Sequence, residues 1–135
     1  MILVDSSVWI DFFRNTSNRE TEQLIFWLEG KEADVEVGVA DLVVFEVMRG
    51  FKHPKDQTRA RDLLLTLEVV EIGGLDNALL AAEHYNALRA HGYTIRSPID
   101  VLLASFCITH GHLLLHRDAD FDVLKTLRGL ETWRH

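Results

Sequence analysis

A chain of 135 residues with 47% hydrophobic residues lies within the size range of one domain and can bury one real core, so residues 1–135 are expected to form a single domain. The formal charge of −7 argues against a protein that grips nucleic acid by bulk electrostatics, because phosphate contacts normally come from Lys and Arg. No apolar run approaches the ~20 residues that span a bilayer, and no basic segment precedes the opening apolar residues, so a cytoplasmic protein with no membrane association is expected.

In chain order, Ile2-Leu3-Val4 is a short apolar run that stops at Asp5-Ser6-Ser7, residues suited to capping the helical stretch Val8 to Arg14. Asn18 can cap a second helix, Arg19 to Leu28, with Leu24, Ile25, Trp27 and Leu28 on one face and Gly30 at its end. Val35 to Val39 alternates like a strand. Asp41 begins a helix through Met48, and Pro54 suits the first turn of another that runs to Leu67. Val69 to Ile72 reads as a third strand and Leu75 to Ala90 as a long helix closed by Gly92. Ser97-Pro98 opens the helix Ile99 to Thr109, closed by Gly111. His112 to Leu115 is a fourth strand, Ala119 to Leu127 a last helix, and Glu131 to Arg134 a short edge strand.

Strands alternating with helices long enough for crossovers predict a mostly parallel sheet of four to five strands covered on both faces, a three-layer α/β/α sandwich. In such sheets the ligand site forms beyond the carboxyl ends of the strands. The acidic residues fall there. Asp5 follows the first strand and Asp118 the last, and each could equally cap the helix it precedes. Asp100 lies three residues after Ser97, the spacing of a capping box. Glu46 stands in the almost wholly apolar Leu42-Val43-Val44-Phe45-Glu46-Val47-Met48, where a carboxylate needs a partner, and Arg49 at helical spacing is the ordinary one. Taken together the four could converge on one sheet edge. Close carboxylates repel unless a cation or protons intervene, and hard oxygen ligands select Mg²⁺ or Mn²⁺, which points to phosphoryl chemistry.

The opening Ile2-Leu3-Val4-Asp5-Ser6-Ser7-Val8-Trp9-Ile10-Asp11, the helix Val44 to Gly50 around Glu46, Asp100-Val101-Leu102-Leu103-Ala104, and Leu114-Leu115-His116-Arg117-Asp118-Ala119-Asp120-Phe121 resemble the four ordered acidic motifs of PIN-domain toxins of the VapC kind. The resemblance covers essentially the whole chain. It implies a catalytic quartet of Asp5, Glu46, Asp100 and Asp118, with Asp5, Asp100 and Asp118 as metal ligands, Asp120 as a further one, and Ser6 or Ser7 giving a nearby hydroxyl or a cap. His116 departs from it, since many relatives carry Thr or Ser there. The implied activity is Mg²⁺- or Mn²⁺-dependent hydrolysis of phosphodiester bonds in structured RNA, often a transfer RNA. Glu46 would position or deprotonate the attacking water or hold a second metal. The resemblance further implies a homodimer and a cognate antitoxin whose tail blocks the acidic groove.

Other features have plainer readings. Cys107 shares an apolar stripe with Leu103 and Phe106 and belongs to the core, as do Trp9, Trp27 and Trp133. His110, His112 and His116 lack the Cys or paired acid that would complete a zinc site. The cations Arg49, Lys52, Lys55, Arg59 and Arg61 bunch together, interrupted by Asp56 and Asp62, as an RNA groove or a solvated helix face. Two rivals remain. A phosphoacceptor receiver domain would need an Asp directly after a middle strand and a Lys after a later one, and neither Val39, Ile72 nor Leu115 is so followed. A non-catalytic PIN-like module that binds RNA or protein would keep the acids only as caps, and metal binding separates it.

Overall fold

A computed structural model describes residues 1–133. The elements run β1 (Ile2–Val4), α1 (Ser6–Phe13), α2 (Arg19–Leu28), β2 (Val37–Ala40), α3 (Asp41–Met48), α4 (Pro54–Leu64), β3 (Glu68–Val70), α5 (Leu75–Ala90), α6 (Pro98–His110), β4 (Leu113–Leu115) and α7 (Ala119–Arg128). The four strands form one sheet in the order β3-β2-β1-β4, and every neighbouring pair is parallel. Helices α1 to α4 pack among themselves and α5 to α7 among themselves, giving the three-layer α/β/α sandwich that the alternation of strands and helices predicts. None of the described helices is long and apolar enough to cross a membrane.

The sheet centre is apolar because its strands are covered on both faces. Every residue of β1 and β2 is buried, whereas β3, on the edge, is largely exposed. Leu3, Val4, Val39, Leu114 and Leu115 lose all or nearly all their exposure, at roughly 1.5–3 kcal/mol for each large side chain so buried. Trp9, Trp27 and Cys107 join this core, and Trp133 packs against it. In β2 the backbone of β3 comes close: a Cβ on Gly38 would lie 3.1 Å from the Glu68 carbonyl oxygen and 2.4 Å from Met1 Sδ. Only glycine fits without a shift.

Several boundaries differ from the sequence expectation for identifiable reasons. The strand expected from Val35 begins at Val37, after Asp34 turns the chain at φ 64°. The strand expected over 69–72 is Glu68–Val70, because the Ile72 N–H leaves the ladder to donate to Asp41 Oδ1 at 2.9 Å. Helix α4 stops at Leu64 rather than Leu67, where Thr66 and Leu67 N–H groups turn back to the Leu63 and Leu64 carbonyls. The edge strand expected over 131–134 is a single parallel bridge between Thr132 and Leu114; Arg134 lies outside the described residues.

Candidate active site

The acids reach one place from four elements. Asp5 is the first residue after β1, Asp118 follows β4, Glu46 lies on α3 directly after β2, and Asp100 sits in the first turn of α6. Carboxylate oxygens of Asp5, Glu46 and Asp100 all lie within 4.8 Å of one another, although the residues span most of the chain. Asp118 is outside this tight trio but close enough that its charge acts on Asp100, as does that of Asp120.

Capping and clustering prove compatible at two positions. Asp5 caps α1, with Oδ2 accepting the Ser7 N–H at 3.2 Å and the Ser7 hydroxyl at 2.6 Å, while Oδ1 is buried with no hydrogen-bond partner among the described residues. Asp118 caps α7 by accepting the Asp120 N–H at 2.9 Å. The other two ordinary readings fail. Ser97 makes no side-chain capping bond, so the capping box is absent and Asp100 is buried at 6% exposure. Glu46 makes no salt bridge to Arg49, whose guanidinium lies over the Phe45 ring, and Glu46 Oε1 is buried without a partner among the described residues. The Ser7 hydroxyl supports Asp5 directly, and Ser6 acts on the charge of Glu46.

Electrostatics follow from this crowding. Burial, then the charges of Asp5, Asp118, Glu46 and Asp120, push Asp100 up to about 8. Burial raises Asp5, against hydrogen bonds from Ser7 and Ser6. Burial also raises Glu46, partly offset by the Ser6 hydrogen bond, while Asp5 adds to the rise. Three hard oxygen donors at mutual ligand spacing, two of them with orphaned buried oxygens, fit a divalent cation such as Mg²⁺ or Mn²⁺ and fit no softer metal as well.

The surroundings include residues to which the motif reading gave no role. Arg117 pairs with Asp11 at 2.7 Å and Glu20 at 3.5 Å, tying the turn after β4 to α1 and α2. Asp41 Oδ1 accepts both the Leu42 and Ile72 N–H groups, and the Asn77 amide bridges the Ile72 and Leu102 carbonyls. A carboxylate at the first helical position was the available signal for Asp41; Asp11 and Asn77 gave none, since their partners are distant in sequence. His116 is largely buried against Phe121, and a cleft of about 520 Å³ lined by Glu20, His116, Arg117, Asp118, Lys125 and Trp133 opens beside it. His110 and His112 stack with Phe106 away from this edge.

Comparison with known proteins gives a consistent picture. The PIN domain family matches residues 2–127. The chain is 30% identical over 131 residues to VapC ribonuclease Mb1587 of Mycobacterium bovis and to ribonuclease VapC11 of Mycobacterium tuberculosis, covering 97% of this chain and 96% of each relative. Among solved structures it is similar in fold to VapBC2 from Rickettsia felis, crystallised with a promoter DNA fragment, at a TM-score of 0.75 and 18% identity over 99% of this chain and 100% of that one. FitAcB from Neisseria gonorrhoeae gives a TM-score of 0.75 and 20% identity over 99% and 97% of the two chains. With the PIN domain matched over almost its whole length and VapC relatives aligned from end to end, the chain belongs to the PIN-domain family and, within it, to the VapC family.

Proposed function

We propose that this protein is a metal-dependent endoribonuclease, the toxin of a toxin-antitoxin pair, which hydrolyses phosphodiester bonds in structured RNA, with transfer RNA as its target. The observation that carries this reading is the meeting of Asp5, Glu46 and Asp100 within 4.8 Å beside Asp118. Asp5, Asp100 and Asp118 would hold Mg²⁺ or Mn²⁺, with Asp120 as a further ligand. A cation bound there lowers the pKa of water and neutralises charge on a phosphate and its leaving oxygen. Glu46, its carboxyl raised by burial, would position the attacking water or take its proton. Ser7 holds Asp5 in place.

Charge and surface support this reading of substrate and partners. Arg49, Lys52, Lys55 and Arg59 are exposed and make no salt bridge among the described residues, whereas Arg61 pairs with Asp62 at 3.5 Å. Four cations without a salt bridge among the described residues, on a chain of net charge −7, favour the RNA-groove reading of this segment over the paired helix face. An antitoxin segment that blocks the acidic site would carry basic residues, and the VapBC complexes among the fold neighbours support such a partner. The exposed Leu75 and Leu79 of α5 favour a homodimer. A cytoplasmic location accords with this role.

The direct test is cleavage of total RNA by the antitoxin-free protein in Mg²⁺ or Mn²⁺, beside Asp100→Asn and an EDTA control. Discrete fragments are expected from the wild type, with activity reduced at least ~100-fold in both controls. Intact RNA from folded wild-type protein would favour the non-catalytic binding module.

A further inference from the structure

Asp118 differs from the other acids of the site in lying on a turn rather than against the buried trio, so its direction depends on what fixes that turn. We infer that His116 is a positioning residue that sets the Asp118 carboxylate toward Asp100, acting as the side-chain acceptor of the turn after β4. The inference rests on the reading of Asp118 as part of a metal-holding acidic site.

The geometry consists of two linked bonds. His116 Nδ1 accepts the Asp118 N–H at 3.1 Å, and Asp118 Oδ1 accepts the Asp120 N–H at 2.9 Å. Each joins a side chain to the backbone two residues on, the pattern by which Asn, Asp, Ser and Thr build turns. Here an imidazole nitrogen takes that part. Because the peptide N–H is the donor, Nδ1 is the unprotonated nitrogen and Nε2 bears hydrogen, with Asp122 Oδ1 3.8 Å away. The ring cannot swing away: its side chain is 10% exposed and packs on Phe121 with centroids 4.9 Å apart. Upstream, the Leu115 carbonyl accepts the Asp5 N–H at 2.9 Å. Residues 115 and 116 therefore fix the backbone at both Asp5 and Asp118.

If His116 acts through its acceptor, a side chain that keeps an acceptor should preserve the site, and one that keeps only bulk should not. The test compares His116→Asn, His116→Leu and His116→Ala in the full chain. Mn²⁺ affinity is measured by titration calorimetry, and amide hydrogen exchange at Asp118 by NMR. Leu and Ala are expected to weaken Mn²⁺ binding by about ten-fold, the lower end for loss of a residue supporting a ligand, and to speed exchange at Asp118. Asn is expected to stay within about three-fold of the wild type, with exchange protected. Leu or Ala binding Mn²⁺ as the wild type does, or Asn behaving like Leu, would overturn the proposal. Should the wild type bind no Mn²⁺, the metal-nuclease reading fails, while the exchange at Asp118 still decides whether His116 holds the turn.

Discussion

Asp100 is an unusually weak acid because it is buried and then because it lies among other carboxylates. An unfolded Asp ionises near 3.8, and in the fold burial and surrounding carboxylates raise Asp100 to about 8. A pKa raised on folding gives stability that is fully present below the unfolded value and is lost as pH rises through the folded one. Metal-free protein should therefore melt at a higher temperature at pH 5.5 than at pH 8.5. Asp100→Asn, which carries no charge, should gain about 1–3 kcal/mol at pH 8.5 and lose most of the pH difference. Melts in EDTA check this, and identical curves for the two proteins at pH 8.5 would refute it. Added Mn²⁺ should then stabilise the wild type far more than the variant, since a ligand that binds only the folded state raises its stability. The site thus spends fold stability on a concentration of charge.

At the scale of elements, most of the architecture could be read from sequence because its signals are local. Asp5 and Asn18 mark helix starts, Gly111 ends a helix at φ 69°, and the apolar runs at 2–4 and 113–115 are strands. What escaped depends on long-range bonds. The end of β3 is set by Asp41, 31 residues away, and the fate of Asp100 by a capping bond that Ser97 does not make. Of the site, the four acids stood out by their ordered motifs, but no local signal shows that Asp5, Glu46 and Asp100 form the tight trio while Asp118 stays outside. The sheet itself gives a further prediction. Gly38→Val would press a branched side chain on the Glu68 carbonyl and Met1, and should cost about 1–3 kcal/mol. A lowered urea midpoint with an unchanged denaturant slope would register it; an unchanged midpoint would mean that β3 shifts freely.

On the scale of the whole molecule, charge is segregated. Acids crowd the carboxyl edge of the sheet, while exposed cations without a salt bridge among the described residues collect on the segment from Arg49 to Arg59. If that segment holds RNA phosphates, the double variant Lys52→Gln/Lys55→Gln should raise the KM for RNA about 3–10-fold, leave kcat within about two-fold, and flatten the salt dependence of kcat/KM. Unaltered salt dependence would place the RNA elsewhere. The topology carries a consequence for synthesis as well. Asp5 lies at the start of the chain, yet its backbone is tied to β4, and Asp118 arrives only with the turn that follows β4. On a translating ribosome, a nascent chain whose last strand is still in the exit tunnel cannot close the acidic cup, however much of the sheet has already formed. Surrounded by RNA throughout its own synthesis, the polypeptide assembles its four carboxylates only once the segment that follows β4 has left the tunnel.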